Sequence, residues 1–370
     1  MILHLLTDDK FTDYVISQFS IPEMKSDFVL IVSNESVNDV KQVDKCTIIK
    51  QNSLEFEALF NRFDQYTGII FHGLFWGQWQ TPILQHVPND VKVAWMYWGG
   101  EIYSRHEFNN QFLAPITKVI YFLHNGTQKA NGDTSWEIPI SLFNRIDYCL
   151  SDEEEEYVLA KKLTGGDFKF LWYNYYSIEE TIGSLVDERC RGNNIWVGNS
   201  SAIKNNHLDV LWTLKKSGLL RKLNEVKVIM PLSYGELWIR NIVLKLGRML
   251  LGNRLQTLVE FMPLSEYNAQ MLSCYTMIIN YWQPAAQGNI ITGLWLGMRV
   301  YLSERSIAYN YFKRIGCKIY SIEHDLNRKN LDVFAPMSQE DIDTNRAVLR
   351  KWYSKEEMHK RNLEIVKALS

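Results

Sequence analysis

Short apolar runs that lack polar alternation recur between helical patterns, and this feature constrains the fold more than any other. In the first half these runs lie at 2–7, 28–33, 46–50, 68–73, 93–99 and 145–151. Helical patterns separate several of them, for example at 53–63 and 153–163. Strands buried on both faces lose polar alternation, and intervening helices allow the strands to pair in parallel. The pattern therefore predicts an α/β domain with a parallel sheet.

The same pattern restarts after a less regular zone at about 174–193. Further strands are predicted at 194–200, 226–232, 257–263, 275–282, 298–303 and 318–323. A chain of 370 residues is long enough for two cores of about 150–200 residues each. We therefore predict two Rossmann-like parallel-sheet domains, 1–180 and 181–335, that face an interdomain cleft. The charged helical tail, 336–370, is predicted to pack back on the first domain.

Composition narrows the classes of function. The formal net charge is −2, whereas general nucleic-acid binders usually carry a basic face. No run of about 18 uncharged apolar residues occurs, so no segment is expected to span a bilayer. The five cysteines are scattered and never form a CxxC pair, which favours reduced thiols over a zinc site or a disulfide framework. We therefore expect a cytoplasmic protein that binds neither metal nor nucleic acid.

Residues directly after strands are the candidates for a site, because open α/β sheets bind ligands beyond the carboxyl ends of their strands. In the first half, His72 and Gly73 end one predicted strand. His72 is predicted either to close a turn at the edge of the core or to donate a hydrogen bond to a hydroxyl or phosphate of a ligand. The residue pattern leaves both alternatives open.

A second strand of the first half ends at Trp98, before the pair Gly99 and Gly100, which allows a tight turn or a positive φ. Glu101 follows directly. A partly desolvated carboxylate at the edge of a cleft can act as a general base. The alternative is an acidic residue that complements the dipole at a helix N-terminus and pairs with Arg105.

Two strand ends of the second half have the composition of an anion-binding turn. The first consists of Gly198, Asn199, Ser200 and Ser201, with His207 within reach. The second is the start of a predicted helix, at Gln287, Gly288 and Asn289. Backbone N–H groups between a strand and a helix bind anions, and the helix dipole adds to the attraction. Either turn alone could equally be an N-cap, but two of them after different strands favour a ligand that carries phosphate.

Two further features of the second half are less specific. Pro231 and Tyr234 follow a third strand and either line a pocket for a base or ribose or form an ordinary loop. The helix predicted within 235–255 carries Arg240, Lys245 and Arg248 among apolar residues. It either touches anionic lipid or is a buried helix with a basic solvated edge.

With these residues placed, the chain resembles the 4-acetamido-4,6-dideoxy-D-galactose (Fuc4NAc) transferases of enterobacterial common antigen synthesis, glycosyltransferase family 56. The resemblance covers about residues 70–300, and its matching positions occur in the same order. These positions are Phe71, His72, Gly73, Trp98, Gly99, the acidic residue 101, Val197, Gly198, Asn199, Ser200, Asn205, His207, Pro231, Tyr234, Gly288 and Gly297.

The resemblance implies a GT-B fold and a metal-independent hexosyltransferase that needs no cofactor. Its substrates would be a nucleotide-diphosphate sugar, TDP-Fuc4NAc in that family, and a saccharide linked to undecaprenyl diphosphate. The enzyme would work in the cytoplasm, peripherally on the inner face of the membrane. The second domain would bind the donor, and Gly73, Trp98, Gly99 and Gly100 would lie on the acceptor side. Glu101 or His72 would be the catalytic base if the reaction inverts the anomeric centre.

Two other classes of function fit the same pattern. One is a nucleotide-sugar epimerase or hydrolase on the same fold, which would need neither an acceptor nor a membrane. The other is a non-catalytic scaffold that binds a nucleotide sugar within a polysaccharide assembly complex.

Overall fold

The computed structural model describes residues 1–34, 36–75, 77–105, 108–125, 137–222, 226–326 and 331–370. The chain forms two compact units. The first unit comprises Met1–Arg105, Gly132–Ser177 and Tyr353–Ser370, and the second comprises His106–Asn131 and Ile178–Trp352.

The strands are short and apolar, as buried parallel strands usually are. They are β1 Ile2–Leu6, β2 Ser26–Val32, β3 Thr47–Lys50, β4 Gly68–His72, β5 Lys92–Met96, β6 Tyr148–Ser151, β7 Lys169–Trp172, β8 Asn194–Val197, β9 Val228–Pro231, β10 Leu255–Leu258, β11 Cys274–Ile279, β12 Arg299–Leu302 and β13 Tyr320–Ser321.

Helices follow most strands. They are α1 Thr12–Phe19, α2 Leu54–Phe60, α3 Gly77–His86, α4 Gly100–Tyr103, α5 Pro115–Asn125, α6 Glu154–Thr164, α7 Ile178–Ile182, α8 His207–Ser217, α9 Leu237–Leu251, α10 Leu264–Leu272, α11 Gln287–Leu296, α12 Ile307–Ile315, α13 Gln339–Tyr353 and α14 Lys355–Leu369.

Each unit is built on one parallel sheet. The first sheet has seven strands in the order β3-β2-β1-β4-β5-β6-β7, and the second has six in the order β10-β9-β8-β11-β12-β13. Among the described residues the strands of both sheets pair in parallel, for example β1 with β4 and β8 with β11. The prediction of two parallel-sheet α/β domains is confirmed. The order of the strands reverses between β1 and β4 and between β8 and β11, and ligands of such sheets bind at these reversals.

The last helix completes the first unit. Ile365 and Leu369 of α14 are buried in the same core cluster as Ile2 and Leu6 of β1. Gly68 of β4 lies directly under this helix, because a Cβ at Gly68 would come within 2.7 Å of the Leu369 Cβ. Ser354 begins α14 by accepting a hydrogen bond from the backbone N–H of Glu357.

The segment 108–125 lies in the second unit, although the predicted first domain, 1–180, includes it. The Asp209 carboxylate accepts hydrogen bonds from the backbone N–H groups of Ile116 and Thr117 at the start of α5, at 2.9 and 3.0 Å. Asn206 Oδ1 accepts another from the Ala114 N–H at 2.7 Å. These contacts hold α5 against α8, and they could not be predicted from any local pattern in the sequence.

Within the part of the chain that the structure describes, every helix is too short or too polar to cross a membrane. The same residues contain no cluster of three or more His, Cys, Asp or Glu side chains with the spacing of a metal site.

Candidate functional site

The loop after β8 begins with a glycine that no other residue could replace without strain. Gly198 follows the last residue of β8 with φ +69°, and its N–H donates to the Ile278 carbonyl of β11. A Cβ at this position would collide with the imidazole of His207 and lie 2.7 Å from Asn205 Oδ1. The close approach and the positive φ explain why the strand ends on glycine.

Asn205 holds this loop from inside the protein and ties it to the next strand. Its side chain is 1% exposed. Its Nδ2 lies 2.9 Å from both the carbonyl oxygen and Oγ of Ser200, and 2.7 Å from the Tyr281 hydroxyl. Its Oδ1 accepts from the Asn199 N–H at 3.2 Å. Because Tyr281 follows β11, this network joins the loops that leave β8 and β11 at the reversal of the strand order.

His207, the first residue of α8, supports the same loop and carries no charge at neutral pH. Its Nε2 lies 2.7 Å from the Ser200 carbonyl oxygen and must be the protonated nitrogen, because a carbonyl only accepts. Burial lowers the pKa of His207 to about 4. The ring therefore positions the backbone of the loop, and it offers a ligand no positive charge.

The loop after β9 joins this arrangement through Tyr234. The N–H and Oγ of Ser201 both donate to the Tyr234 carbonyl at 2.7 Å. The Tyr234 hydroxyl accepts from Asn199 Nδ2 at 3.1 Å. The Tyr234 ring itself is exposed, which leaves a flat aromatic face in the loop after Pro231, the last residue of β9.

The second predicted anion-binding turn is the start of α11. The residue before the helix, Ala286, has φ +60°, and Gln287, Gly288 and Asn289 form the first turn. The Asn289 side chain is fixed by donating to the Tyr267 hydroxyl at 2.8 Å. The first backbone N–H groups of a helix have no partner within the helix and attract anions.

The structure therefore brings the predicted donor-site residues of the second unit to one edge of its sheet. They follow β8, β9 and β11, which are consecutive in the sheet. Tyr281 is absent from the predicted set, although it lies in the same network. The sequence pattern places Tyr281 inside the predicted strand 275–282, whereas β11 ends at Ile279, and the pairing of this strand with β8 cannot be read from the sequence.

The first unit has a cavity of about 310 Å³ at the matching place in its own sheet. The cavity lies where the strand order reverses between β1 and β4, because most of its walls come from the ends of β1, β4 and β5 and the segments after them, with Asp39 added from the segment after β2. Its lining residues are Thr7, Asp8, Asp9, Lys10, Phe11, Asp39, His72, Phe75 and Trp98. The loop from Thr7 to Phe11 was not predicted as part of a site. It could have been suspected only with the knowledge that β1 lies next to β4.

His72 is the buried polar group of this cavity. His4 Nδ1 lies 3.1 Å from His72 Nε2, and His4 Nε2 lies 3.1 Å from Ser26 Oγ. His72 is 6% exposed, and its Nδ1 has no hydrogen-bond partner among the residues that the structure describes. Burial lowers the pKa of His72 to about 3, so the ring is neutral at physiological pH. Its Nδ1 can donate to a ligand or accept from one, depending on the tautomer.

Glu101 does not line this cavity, but it holds one of its walls. Its Oε1 accepts from the Trp95 indole N–H at 2.9 Å and from the Trp98 backbone N–H at 3.1 Å. The side chain is 2% exposed, and burial raises the pKa of Glu101 to about 7. Arg105 forms an ion pair with Glu137 at 3.1 Å. A carboxylate with this pKa suits proton transfer near neutral pH, while its contacts also make it an anchor for the Trp98 loop.

The glycines next to Trp98 are needed for the shape of this loop. Gly99 has φ +85°, and a Cβ there would lie 2.7 Å from the Tyr103 ring. A Cβ at Gly100 would lie 2.8 Å from the Phe75 ring. Gly73, after β4, has φ +92°. These three glycines therefore set the position of Trp98 against Phe75.

The two parallel-sheet domains have the fold of the GT-B glycosyltransferases. HepE from Anabaena, solved in complex with UDP and glucose, matches with a TM-score of 0.63 at 10% identity over 99% of both chains. A glycosyltransferase from Rickettsia africae matches with a TM-score of 0.62 at 12% identity, covering 100% of this chain and 98% of its own. Sucrose-phosphate synthase from Thermosynechococcus elongatus gives 0.57 at 11%, with coverage of 100% and 98%.

At these identities the similarity is one of fold. The sequence matches no protein-family model and no curated protein at a significant level.

Proposed function

We propose that the protein is a glycosyltransferase that uses a nucleotide-diphosphate sugar as its donor. The observation that carries this proposal is the network in which Asn205 joins the loop after β8 to Tyr281 after β11. It fixes a small-residue loop at the reversal of the sheet of the second unit, where open α/β sheets bind nucleotides. The GT-B fold supports the proposal, as does the presence of UDP and glucose in the matching HepE structure.

In this proposal the second unit binds the donor. The Gly198 and Asn199 N–H groups are already bonded to the Ile278 carbonyl and to Asn205 Oδ1, and they hold the shape of the loop. The Ser200 N–H and the first turn of α11 would contact the diphosphate. During transfer, negative charge develops on the leaving diphosphate. Donors that are already oriented stabilise this charge without reorganising, and no metal ion is required for that. Tyr234 would pack its exposed ring against the base or the ribose.

The first unit would hold the saccharide acceptor in the cavity beside His72. The walls contributed by Phe11, Phe75 and Trp98 suit the apolar face of a sugar ring, and His72 Nδ1 would bind a hydroxyl. Of the two predicted catalytic residues, His72, with its pKa of about 3, lines the cavity and is suited to hydrogen bonding with the acceptor. Glu101 has a pKa of about 7, which suits proton transfer, but its side chain is buried behind the cavity wall, so its proposed part is to hold Trp98 in place.

The finer assignment follows the resemblance to glycosyltransferase family 56. It proposes Fuc4NAc or a related deoxyamino sugar as the transferred group and an undecaprenyl-diphosphate-linked saccharide as the acceptor. The reaction would then belong to surface polysaccharide synthesis at the inner face of the membrane.

The first experiment is a thermal-shift screen of the full chain with UDP-, GDP- and TDP-sugars. A ligand that binds only the folded state raises the melting temperature, so a true donor is expected to stabilise the protein in proportion to log concentration above its Kd. Asn205→Ala is expected to abolish most of this shift. Asn194→Ala, which removes an amide at the opposite end of β8, is the matched control and should leave the shift intact.

The best donor is then incubated with and without saccharide acceptors while release of the nucleoside diphosphate is measured. Release that depends on the acceptor supports transfer. Equal turnover without any acceptor would identify a hydrolase or epimerase, and binding without turnover would identify a scaffold. Lack of any stabilisation by a nucleotide would contradict the donor site itself.

A further inference from the structure

Three helices of the second unit, α5, α8 and α9, form one outer layer. α8 and α9 link consecutive parallel strands, and right-handed crossovers place such helices on the same face of a sheet. Leu211 and Leu214 of α8 and Val243 of α9 share one core cluster, and Ile116 and Ile120 of α5 pack against that cluster. His124 at the end of α5 stacks on Trp238 of α9 with ring centroids 3.8 Å apart.

The outward side of this layer is unusually apolar. On α5, three consecutive outward positions are large hydrophobic residues: Val119 is 58% exposed, Phe122 49% and Leu123 74%. Trp212 of α8 is 51% exposed, and Met249 of α9 is 69% exposed. Single exposed hydrophobic residues are normal, but a group of them on adjoining helices marks a contact surface.

The charges of the same layer are almost all positive. Its cationic residues are Lys118, Lys215, Lys216, Arg240, Lys245 and Arg248. Its single acidic residue, Asp209, is occupied by the N-terminus of α5. On α9 the exposed residues Leu237, Lys245, Arg248 and Met249 lie on one face. The chain as a whole has a formal charge of −2, so this local excess is not a property of its composition.

We propose that the outer layer of α5, α8 and α9 binds the surface of an anionic lipid bilayer. Apolar side chains enter the headgroup region, and the surrounding cations face the negative lipid surface. Positive charge selects a lipid surface over a second copy of this chain, because two copies of the same basic layer would repel each other. The inference deepens the proposed function, on which it rests only for the expectation that the acceptor is lipid-linked.

The experiment is sedimentation of the full chain with vesicles of phosphatidylcholine containing about one third phosphatidylglycerol, compared with phosphatidylcholine alone. Wild type is expected to bind the anionic vesicles at least about ten-fold more tightly and to be released by high salt. Lys245→Gln/Arg248→Gln should weaken binding about 25-fold, since each cation near the surface contributes about five-fold. Phe122→Ser/Leu123→Ser should weaken it about ten-fold or more.

Matched controls come from the first unit. Lys162→Gln/Lys169→Gln removes two cations, and Leu54→Ser removes a side chain that is 80% exposed. Both are expected to bind vesicles like wild type. Equal losses in the control variants, or equal affinity for the two kinds of vesicle, would overturn the proposal.

A concentration-dependent dimer in sedimentation velocity that is lost in Phe122→Ser/Leu123→Ser would also overturn it, because the layer would then be a self-association surface. The nucleotide-dependent thermal shift is measured on the same variants. A variant that keeps the thermal shift but no longer binds vesicles would separate the lipid surface from the donor site. A protein that binds vesicles but shows no thermal shift with any nucleotide would contradict the proposed function alone.

Discussion

At the scale of single residues, Gly198 decides whether the loop after β8 can take its shape. It combines a positive φ with contact to His207 and Asn205. Gly218 has nearly the same φ, +66° against +69°, but a Cβ there would meet nothing within 4 Å. Gly198→Ala is expected to lower the free energy of unfolding by about 3 kcal/mol or more, and Gly218→Ala by only about 1 kcal/mol.

Urea unfolding of both variants measures this difference, and calorimetric titration with a nucleoside diphosphate measures binding. The Gly218→Ala variant should bind like wild type, whereas Gly198→Ala should lose at least about ten-fold in affinity. Similar losses of stability in the two variants would show that the contact with His207 and Asn205 does not shape the loop.

His207 makes the stability of the protein depend on pH. Its pKa is about 4 in the folded state and near its ordinary value of 6.5 in the unfolded chain. Between these values the unfolded chain binds one more proton, so the contribution of His207 is complete above pH 6.5 and is lost as the pH falls. The slope is about 1.4 kcal/mol per pH unit for this one residue.

His207→Gln is therefore expected to flatten the fall in unfolding free energy between about pH 6.5 and 4.5, as measured by urea titrations at several pH values. Its stability at pH 7.5 serves as the internal control, because there the change reports the lost contact with the Ser200 carbonyl alone. An unchanged slope would mean that His207 is not buried as a neutral ring.

At the scale of elements, the contact between the exits of β8 and β11 is the feature that makes a site. Asn205→Ala and Tyr281→Phe each remove one partner of the hydrogen bond between them. A double-mutant cycle followed by urea unfolding is expected to give a coupling of about 1 kcal/mol or more. Tyr281→Phe combined with Asn194→Ala is the control cycle, and its effects should add within about 0.5 kcal/mol. Additivity in both cycles would contradict the link between the two loops.

The alternation of strands and helices could be predicted because a strand that is buried on both faces is a short run of apolar residues, which is visible in the local sequence. The predicted strand 194–200 contains β8, and the predicted strand 275–282 overlaps all of β11 except Cys274. β7 was not predicted, because this edge strand is short and begins with an exposed lysine. Strand order depends on which strands pair across the sheet, and therefore the role of Tyr281 could not be read from the sequence.

The same limit applies to the first unit. His72 and Trp98 could be found because both lie at the carboxyl ends of predicted strands. Glu101 could also be identified as a candidate from the sequence. Its hydrogen bond with the Trp95 indole could not be predicted, because that contact depends on how the turn at Gly99 folds back on β5. The loop from Thr7 to Phe11 joins them only because β1 pairs with β4.

At the scale of the whole molecule, the two units carry separate polar sites, each at the reversal of its own parallel sheet. This is the arrangement expected of a transferase with two substrates. Tertiary contacts decide to which unit α5 belongs. Asp209 and Asn206 bind the start of this helix to the second unit, although the sequence pattern assigns the segment to the first domain. The cationic outer layer depends on that recruitment.

The most direct measurement is a crystal structure of the full chain with a bound nucleoside diphosphate. The diphosphate is expected at the edge of the second sheet, within hydrogen-bond distance of the Ser200 N–H and of the first turn of α11, with the base against Tyr234. A nucleotide seated in the cavity beside His72 and Trp98, with the edge of the second sheet empty, would contradict this expectation.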